Sequence, residues 1–266
     1  MPTSLYPPTR PRTLAELLET SFQIFRVSLL KCLPYATLAI LAGQLATFYD
    51  LARGHLPSAL DVNDPVWVTL YSAGALLAVI LWMATLLRQS LVAAGRQATH
   101  TDLLDVLRNA PAIAAISLLT GAAVAVLILP LLALAEPYRT VGVAVMLVPA
   151  AYLFVALSFS LPARILAQKG VLQSLVYSLE LIRGNWWRAA AMYAVGLSIV
   201  TVFYLLVAIA AAMVLPDAGS AMALERAVTT TAVLAVGAIG LTFYTAITLT
   251  VFADLEIRKA NRPRPG

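Results

Sequence analysis

Six long stretches of this sequence contain no charged residue, and they constrain the fold more than any other feature. An apolar run of about 18 residues or more forms a helix long enough to cross a bilayer core about 30 Å thick. A soluble helical core would need polar faces at the helical period, and a transmembrane β-barrel would need short alternating strands. The sequence therefore predicts an all-α integral membrane protein, a six-helix bundle. Its expected spans are 32–49, 66–87, 111–135, 141–163, 189–215 and 227–253.

The composition agrees with a membrane chain. Of the 266 residues, 61% are hydrophobic and 12% are charged, and the mean hydropathy is +0.87. A soluble domain is usually about 45–50% apolar and about 25% charged. The composition therefore favours the membrane interpretation of the six runs.

The basic residues are distributed unevenly between the two ends of the predicted spans. Of the 18 Lys and Arg residues, all but Arg53, Arg139 and Arg226 fall on one side. Because positive charge marks the cytoplasmic side, we expect a multi-pass protein of the bacterial inner membrane with both the N- and C-termini in the cytoplasm. The pI of about 9.5 then reflects a basic face against an anionic leaflet. We expect membrane lipids as partners and no nucleic acid, and a membrane-protein partner or a homo-oligomer stays open.

The connections on the basic side have the pattern of amphipathic helices. The first begins with Thr13 and Glu16, the two residues of a capping box. Such helices lie in the membrane interface with apolar side chains toward lipid. The sequence predicts a single membrane domain, 13–253, between a disordered N-terminal segment, 1–12, and a basic cytoplasmic tail, 254–266. The interfacial helices are expected at 13–27, 95–109 and 169–184.

One five-residue pattern precedes each odd-numbered span: apolar, polar, two apolar residues and arginine. The copies end at Arg26, Arg108 and Arg183, and the first and third copies also place Lys31 and Arg188 at equivalent positions. This recurrence predicts three repeats, each an interfacial amphipathic helix followed by a transmembrane hairpin. The alternative is chance recurrence in a hydrophobic chain of low complexity.

The third copy runs into a corner between an interfacial helix and a span. Gly184 is suited to the left-handed conformation that stops a helix, and Asn185 to the cap of the next one. Trp186 and Trp187 are expected to anchor at the lipid headgroups. Arg188 is expected to reach lipid phosphate by snorkelling.

Two segments, 12–26 and 178–188, resemble the membrane domain of glycerophosphoryl diester phosphodiesterases. That grouping includes stand-alone six-span bacterial membrane proteins. In its two-part members, the resemblance implies that hydrolysis belongs to a separate soluble barrel with metal-binding acidic and histidine residues. Only a short tail follows the last predicted span, so we expect this chain to be a member without the catalytic domain.

The residue inventory independently argues against catalysis. No His, Cys and carboxylate cluster has metal-ligand spacing, and no glycine-rich phosphate loop occurs. His55 and His100 are predicted on opposite sides of the membrane, and a solvated helix face explains Asp102 and Asp105 better than an acid–base pair does. The sequence therefore predicts a protein that is not an enzyme, with no catalytic residue, metal or cofactor.

Three functions stay open for such a protein. The leading hypothesis is that it organises lipid or a membrane partner at the inner leaflet; generic orientation by bulk charge is the plainer reading of the same basic residues. The second is a transporter or channel subunit for a small neutral or amphipathic solute, which a hydrophilic cavity lined by the span-six threonines would favour. The third is a detached membrane domain that serves a separately encoded phosphodiesterase. The candidate headgroup contacts are Arg26, Lys31, Arg108, Arg183 and Arg188, framed by Trp186 and Trp187.

Overall fold

The computed structural model describes residues 5–53, 63–96, 101–132, 135, 138–214 and 222–262, and most of these residues are helical. No strand occurs within these ranges, so the predicted all-α fold is confirmed. The helices are α1 (Leu14–Gly43), α2 (Leu45–Ala52), α3 (Pro65–Ala93), α4 (Thr101–Arg108), α5 (Ala110–Leu132), α6 (Tyr138–Leu157), α7 (Ser160–Leu166), α8 (Val171–Ile182), α9 (Trp186–Val214) and α10 (Met222–Ala260).

Six helical segments are long and apolar enough to cross a membrane, as the sequence predicts. Five of them lie in α1, α3, α5, α9 and α10, and the sixth combines α6 with α7, over Thr140–Leu166. The structure therefore agrees with an integral membrane bundle of six spans.

Side-chain caps fix where two of the spans begin. Glu16 donates its backbone N–H to the Thr13 hydroxyl at 3.2 Å, and the Glu16 carboxylate accepts the Thr13 N–H at 2.7 Å. This is the predicted capping box. At the start of α3, the Asp64 carboxylate accepts the N–H groups of Val66 and Trp67. Pro65, which has no N–H to satisfy, occupies the first helical position.

The ends of the chain differ from the predicted division into elements. The sequence predicts an interfacial helix over 13–27 and a separate span from 32, whereas α1 continues unbroken from Leu14 to Gly43. No glycine or proline lies between 27 and 32 to stop it. At the other terminus, α10 continues to Ala260, so the predicted tail begins as part of the last helix.

Helix α10 forms the centre of the bundle. Its membrane window is 67% buried, against 11% for the window of α5. Two groups of buried side chains pack on α10, one from α1, α6, α7, α8 and α9, the other from α1, α3, α4 and α5. In the first group, Phe252 of α10 shares a cluster with Leu17, Leu181 and Met192, and its ring centroid lies 6.2 Å from that of Phe159.

Glycines allow the central helices to approach closely. A Cβ atom added to Gly240 of α10 would lie 2.8 Å from Cγ1 of Val200 in α9. One added to Gly74 of α3 would lie 2.3 Å from the carbonyl oxygen of Ala42 in α1. Small residues at such contacts let membrane helices pack backbone to backbone. Gly240 thus permits close contact between α10 and α9.

Pro162 explains the break within the fourth span. A proline lacks the N–H that would bond the carbonyl four residues earlier, and its ring clashes with that carbonyl. For Pro162 the affected residue is Ser158, and α6 ends at Leu157 while α7 begins at Ser160. Irregular backbone at membrane depth occurs where protein buries it or where it lines a cavity. Here Phe159 is fully buried, and the serines on either side line a cavity described below.

Candidate functional site

Many of the described basic side chains gather at one end of the bundle, which we call the basic end. Hydrogen bonds join its parts. The Leu5 N–H donates to the Ala93 carbonyl, the Arg164 guanidinium to the Asn109 side chain, and the Arg12 N–H to the Asp254 carboxylate. Several of the residues that the sequence assigns to one side of the membrane therefore lie together in space. The basic end comprises residues 5–12, the end of α3, the junction of α4 and α5, residues 164–188 and the end of α10.

A buried carboxylate, Asp254, organises this end. Its side chain is 1% exposed, and its Oδ2 accepts hydrogen bonds from Nε of Arg188 at 2.9 Å and from Nε of Arg258 at 2.8 Å. Oδ1 accepts the backbone N–H of Arg12 at 2.7 Å. Both guanidinium groups also donate to the Arg12 carbonyl. A buried charge is tolerated when it is paired and hydrogen-bonded in this way. Asp254 thereby joins the N-terminal segment, the start of α9 and the end of α10.

The contacts of this cluster differ from the sequence-based expectations. Arg188, expected to snorkel to lipid, is 18% exposed and paired with Asp254. The segment 1–12, predicted to be disordered, is packed against the bundle over its described part, 5–12. Asp254 lies in α10, which continues to Ala260, and its carboxylate contacts Arg188 at the start of α9. The available signal was the spacing of Asp254 and Arg258, four residues apart and therefore on one helix face.

The predicted corner forms between α8 and α9. Gly184 has a φ of +77°, the left-handed conformation expected of it, and α9 begins two residues later. Trp186 stacks on Tyr152 with 5.3 Å between ring centroids, and its Nε1 donates to the Tyr152 carbonyl at 3.2 Å. Trp187 is 80% exposed. The two tryptophans thus differ, one packed against α6 and the other at the surface, and their anchoring in lipid stays a prediction.

A basic cavity of about 380 Å³ lies at this corner, and we call it the corner cavity. Arg262 donates to the carbonyls of Glu180 and Arg183, which holds the end of α10 against α8. Arg258 is held by Asp254, whereas the Arg183 side chain is exposed. Three arginines and no carboxylate are among the described residues that line it, so it suits an anion. They are Pro11, Arg183, Gly184, Asn185, Arg258, Asn261 and Arg262.

A second cavity, of about 540 Å³, lies where the α4–α5 junction meets the end of α7, and we call it the polar cavity. Arg108 is 79% exposed and lies 3.5 Å from Asp105. Arg164 donates to Asn109 at 2.7 Å and to the Lys169 carbonyl at 2.8 Å. Its Nε is buried and has no hydrogen-bond partner in the described part of the chain. The lining residues are Leu87, Asp105, Val106, Arg108, Asn109, Arg164, Ile165 and Gln168.

A third cavity, of about 860 Å³, lies deeper in the bundle, and we call it the apolar cavity. Its wall is made mainly of hydrocarbon. The threonines of α10 are not among its described lining residues. Thr242 and Thr248, for example, donate hydrogen bonds to the Ala238 and Tyr244 carbonyls of their own helix. The hydrophilic cavity lined by these threonines is thus not seen in the ranges described. The lining residues are Trp82, Ser117, Thr120, Gly121, Val124, Ala125, Leu129, Phe154, Leu157, Ser158, Ser160, Leu161, Leu241 and Tyr244.

The five candidate headgroup contacts are not brought together at one point. Arg183 lines the corner cavity and Arg108 the polar cavity. Arg26 and Lys31 are exposed on α1, whereas the three cavities are lined by other elements. Arg188 belongs to the Asp254 cluster. Arg108 and Arg183 therefore lie beside cavities that could hold a ligand, whereas Arg26 and Lys31 only add positive charge to the surface.

The described part of the chain is expected to contain neither a metal site nor catalytic groups, and only the metal site can be checked against its geometry. Within it, no three or more His, Cys, Asp or Glu side chains are placed to hold a metal ion. His55 and His100 lie outside the described residues, and so does the side chain of Asp102. The absence of enzymatic activity stays a prediction.

Comparisons with protein-family models, curated proteins and solved structures found no match. The resemblance to the membrane domain of glycerophosphoryl diester phosphodiesterases therefore stays a prediction, and the function has to be inferred from the residues themselves.

Proposed function

We propose that this protein is a non-enzymatic integral membrane protein that binds anionic lipid at its basic end, in the cytoplasmic leaflet. The observation that carries the proposal is the corner cavity, where arginines without a carboxylate line a hollow at the end of an apolar bundle. The positive-inside rule puts this end at the cytoplasmic headgroups. A lipid phosphate lies at the depth of the headgroup layer, and there it would be close to several arginines.

Arginine suits this ligand chemically. Its guanidinium presents a planar fork that donates two parallel hydrogen bonds to a phosphate. Arg258 and Arg262 already donate to Asp254 and to backbone carbonyls. Arg183 is exposed at the mouth of the corner cavity. We therefore assign the main phosphate contact to Arg183, with Arg258 and Arg262 supplying the surrounding field.

Transport of an amphipathic solute is the second candidate, and the apolar cavity beside the Pro162 break supports it. The residues described in its wall include no charged side chain, whereas ion- and proton-coupled pathways are usually marked by one. A hydrophobic or amphipathic ligand fits such a wall better than a hydrated solute does. The third candidate, a membrane domain for a separate phosphodiesterase, rests on the sequence resemblance alone.

The test compares two double variants that remove equal positive charge. Arg108→Gln with Arg183→Gln removes arginines that line cavities, and Arg26→Gln with Lys31→Gln removes exposed charges on α1. Each protein is purified from vesicles of phosphatidylcholine and phosphatidylglycerol, and its bound lipid is measured by native mass spectrometry. A hydrogen bond to a charged group contributes about 1.5–3 kcal/mol, so we expect roughly tenfold weaker retention of phosphatidylglycerol in the first variant only.

Equal losses in both double variants would contradict the proposal. They would mean that lipid responds to bulk charge and that the arginines serve only to orient the chain. Retention at the wild-type level in the cavity variant would contradict it equally.

A further inference from the structure

We infer that the polar cavity and the apolar cavity are two parts of one binding site for an anionic phospholipid. Its phosphate lies at Arg108 and Arg164, and one of its acyl chains fills the apolar cavity. This inference rests on the proposed function and adds a defined site and ligand to it.

The two cavities follow one another along the same helices. In α7, Leu161 lines the apolar cavity and Ile165, one turn nearer the basic end, lines the polar cavity. In α3 the corresponding residues are Trp82 and Leu87, in the same order. At 1.5 Å per residue, the two linings are about 6–8 Å apart along these helices. That separation lets a single molecule occupy both cavities.

The polar cavity has the charge that a phosphate requires. Among the described lining residues, Arg108 and Arg164 stand against one carboxylate, Asp105, so that this part of the wall is positive on balance. Asp105 contacts Arg108 at the exposed rim, where both side chains are more than half exposed. Arg164 lies deeper, and its Nε lacks a partner although it is buried. A buried N–H without an acceptor costs about 1–3 kcal/mol, so an incoming phosphate oxygen would remove this cost.

The apolar cavity has the size and the wall for a hydrocarbon chain. Its volume of about 860 Å³ falls within the range of about 300–1,000 Å³ that is typical of small-molecule sites. The hydroxyls of Ser117 and Thr120 are buried without a partner in the described structure. Most of the other lining side chains are aliphatic or aromatic. Such a wall favours an acyl chain over a hydrated solute.

The site has an opening toward the surrounding lipid at Gly121. This residue of α5 is exposed, and a Cβ added to it would meet no atom within 4 Å. A chain therefore has room to enter sideways from the bilayer while the head stays at the basic end. A lone apolar wall would suit many occupants, but the arginines at one end select a lipid that carries negative charge next to its chains.

The experiment adds a side chain to the wall of the apolar cavity without disturbing the packed core. Gly121→Leu places a side chain in open space on the cavity wall. Loss of a glycine inside a helix is itself favourable, so the variant should remain folded. Ala122→Leu is the matched control, because Ala122 is the next residue and is exposed but does not line the cavity. Both proteins are reconstituted with phosphatidylglycerol in a phosphatidylcholine background, and bound lipid is counted by native mass spectrometry.

We expect Gly121→Leu to lose the phosphatidylglycerol held at this site by tenfold or more, seen as one bound lipid fewer in the mass spectrum, and Ala122→Leu to retain it. Excess glycerol phosphate, which has the head without the chains, should not displace the lipid from the wild type. Wild-type retention in Gly121→Leu, or displacement by glycerol phosphate, would overturn the inference.

The Arg108→Gln/Arg183→Gln protein, run in parallel, separates this inference from the proposed function. If that protein loses lipid while Gly121→Leu does not, headgroup binding stands and the chain site is wrong. If neither loses lipid, both are wrong.

Discussion

At the scale of single residues, Asp254 shows how one buried charge can hold distant parts of a membrane protein together. It binds the backbone of Arg12 and the guanidinium groups of Arg188 and Arg258. A buried ion pair gains little over a well-packed apolar pair, but removing one partner leaves an uncompensated charge. The ion pairs of Asp254 therefore add little net stability, but removing the carboxylate would destabilise the protein strongly.

We expect Asp254→Asn to lower the free energy of unfolding by about 3–5 kcal/mol, because two arginines then lose the carboxylate that pairs with them. The measurement is the apparent Tm in mild detergent, which moves by about 2–4 °C per kcal/mol for a chain of this size. Glu180→Gln is the control, since it breaks an ion pair with Lys259 in which Glu180 is 56% exposed. Such a surface pair contributes about 0–1 kcal/mol. Similar Tm shifts in the two variants would refute the role of Asp254.

At the scale of elements, the glycines of the bundle differ in their surroundings. Some allow two helices to pack closely, whereas others face open space. A Cβ on Gly74 would meet the Ala42 carbonyl of α1, which is backbone and has little freedom to move. A Cβ on Gly121 would meet nothing within 4 Å. The same substitution should therefore have opposite effects at the two sites.

We expect Gly74→Ala to destabilise the protein by about 1–3 kcal/mol through overpacking. Gly121→Ala should stabilise it by about 0.5–1 kcal/mol, because alanine loses less backbone entropy in a helix. Apparent Tm values of both proteins, measured in one detergent, check the pair. A Gly74→Ala protein as stable as the wild type would show that α1 and α3 are not in backbone contact.

The sequence was sufficient for those elements that follow from local patterns. The six spans, the Thr13 capping box and the left-handed Gly184 depend on apolar length or on neighbouring residues, and each is confirmed. The continuity of α1 and the pairing of Arg188 with Asp254 depend on how distant helices pack. Hydropathy does not contain that information, so it predicts a contact with lipid for a charge that lies next to a span. The repeat of three units stays a prediction.

The candidate site was predictable only in part for the same reason. The arginine pattern directed attention to Arg108 and Arg183, which line cavities. Arg164 was missed, because its role depends on the break that Pro162 introduces and on its contact with Asn109. Gly121 carried no signal in the sequence, since an open wall exists only once α5 is placed beside α3 and α7.

At the scale of the whole molecule, charge and hydrocarbon are separated along the bundle axis. The basic end has the arginine-lined cavities, and the apolar cavity lies farther along the same helices. A lipid has the same division between its head and its chains. This correspondence is the basis of the proposed function and of the inferred phospholipid site.

The most direct test of anionic-lipid binding uses the unmodified protein. It is reconstituted in vesicles with equal amounts of phosphatidylcholine and phosphatidylglycerol, and the lipid that stays bound through gentle purification is analysed. We predict retained lipid enriched about tenfold in phosphatidylglycerol at low salt, with the enrichment reduced as ionic strength rises and screens the exposed arginines. Retained lipid with the composition of the vesicles would contradict the account.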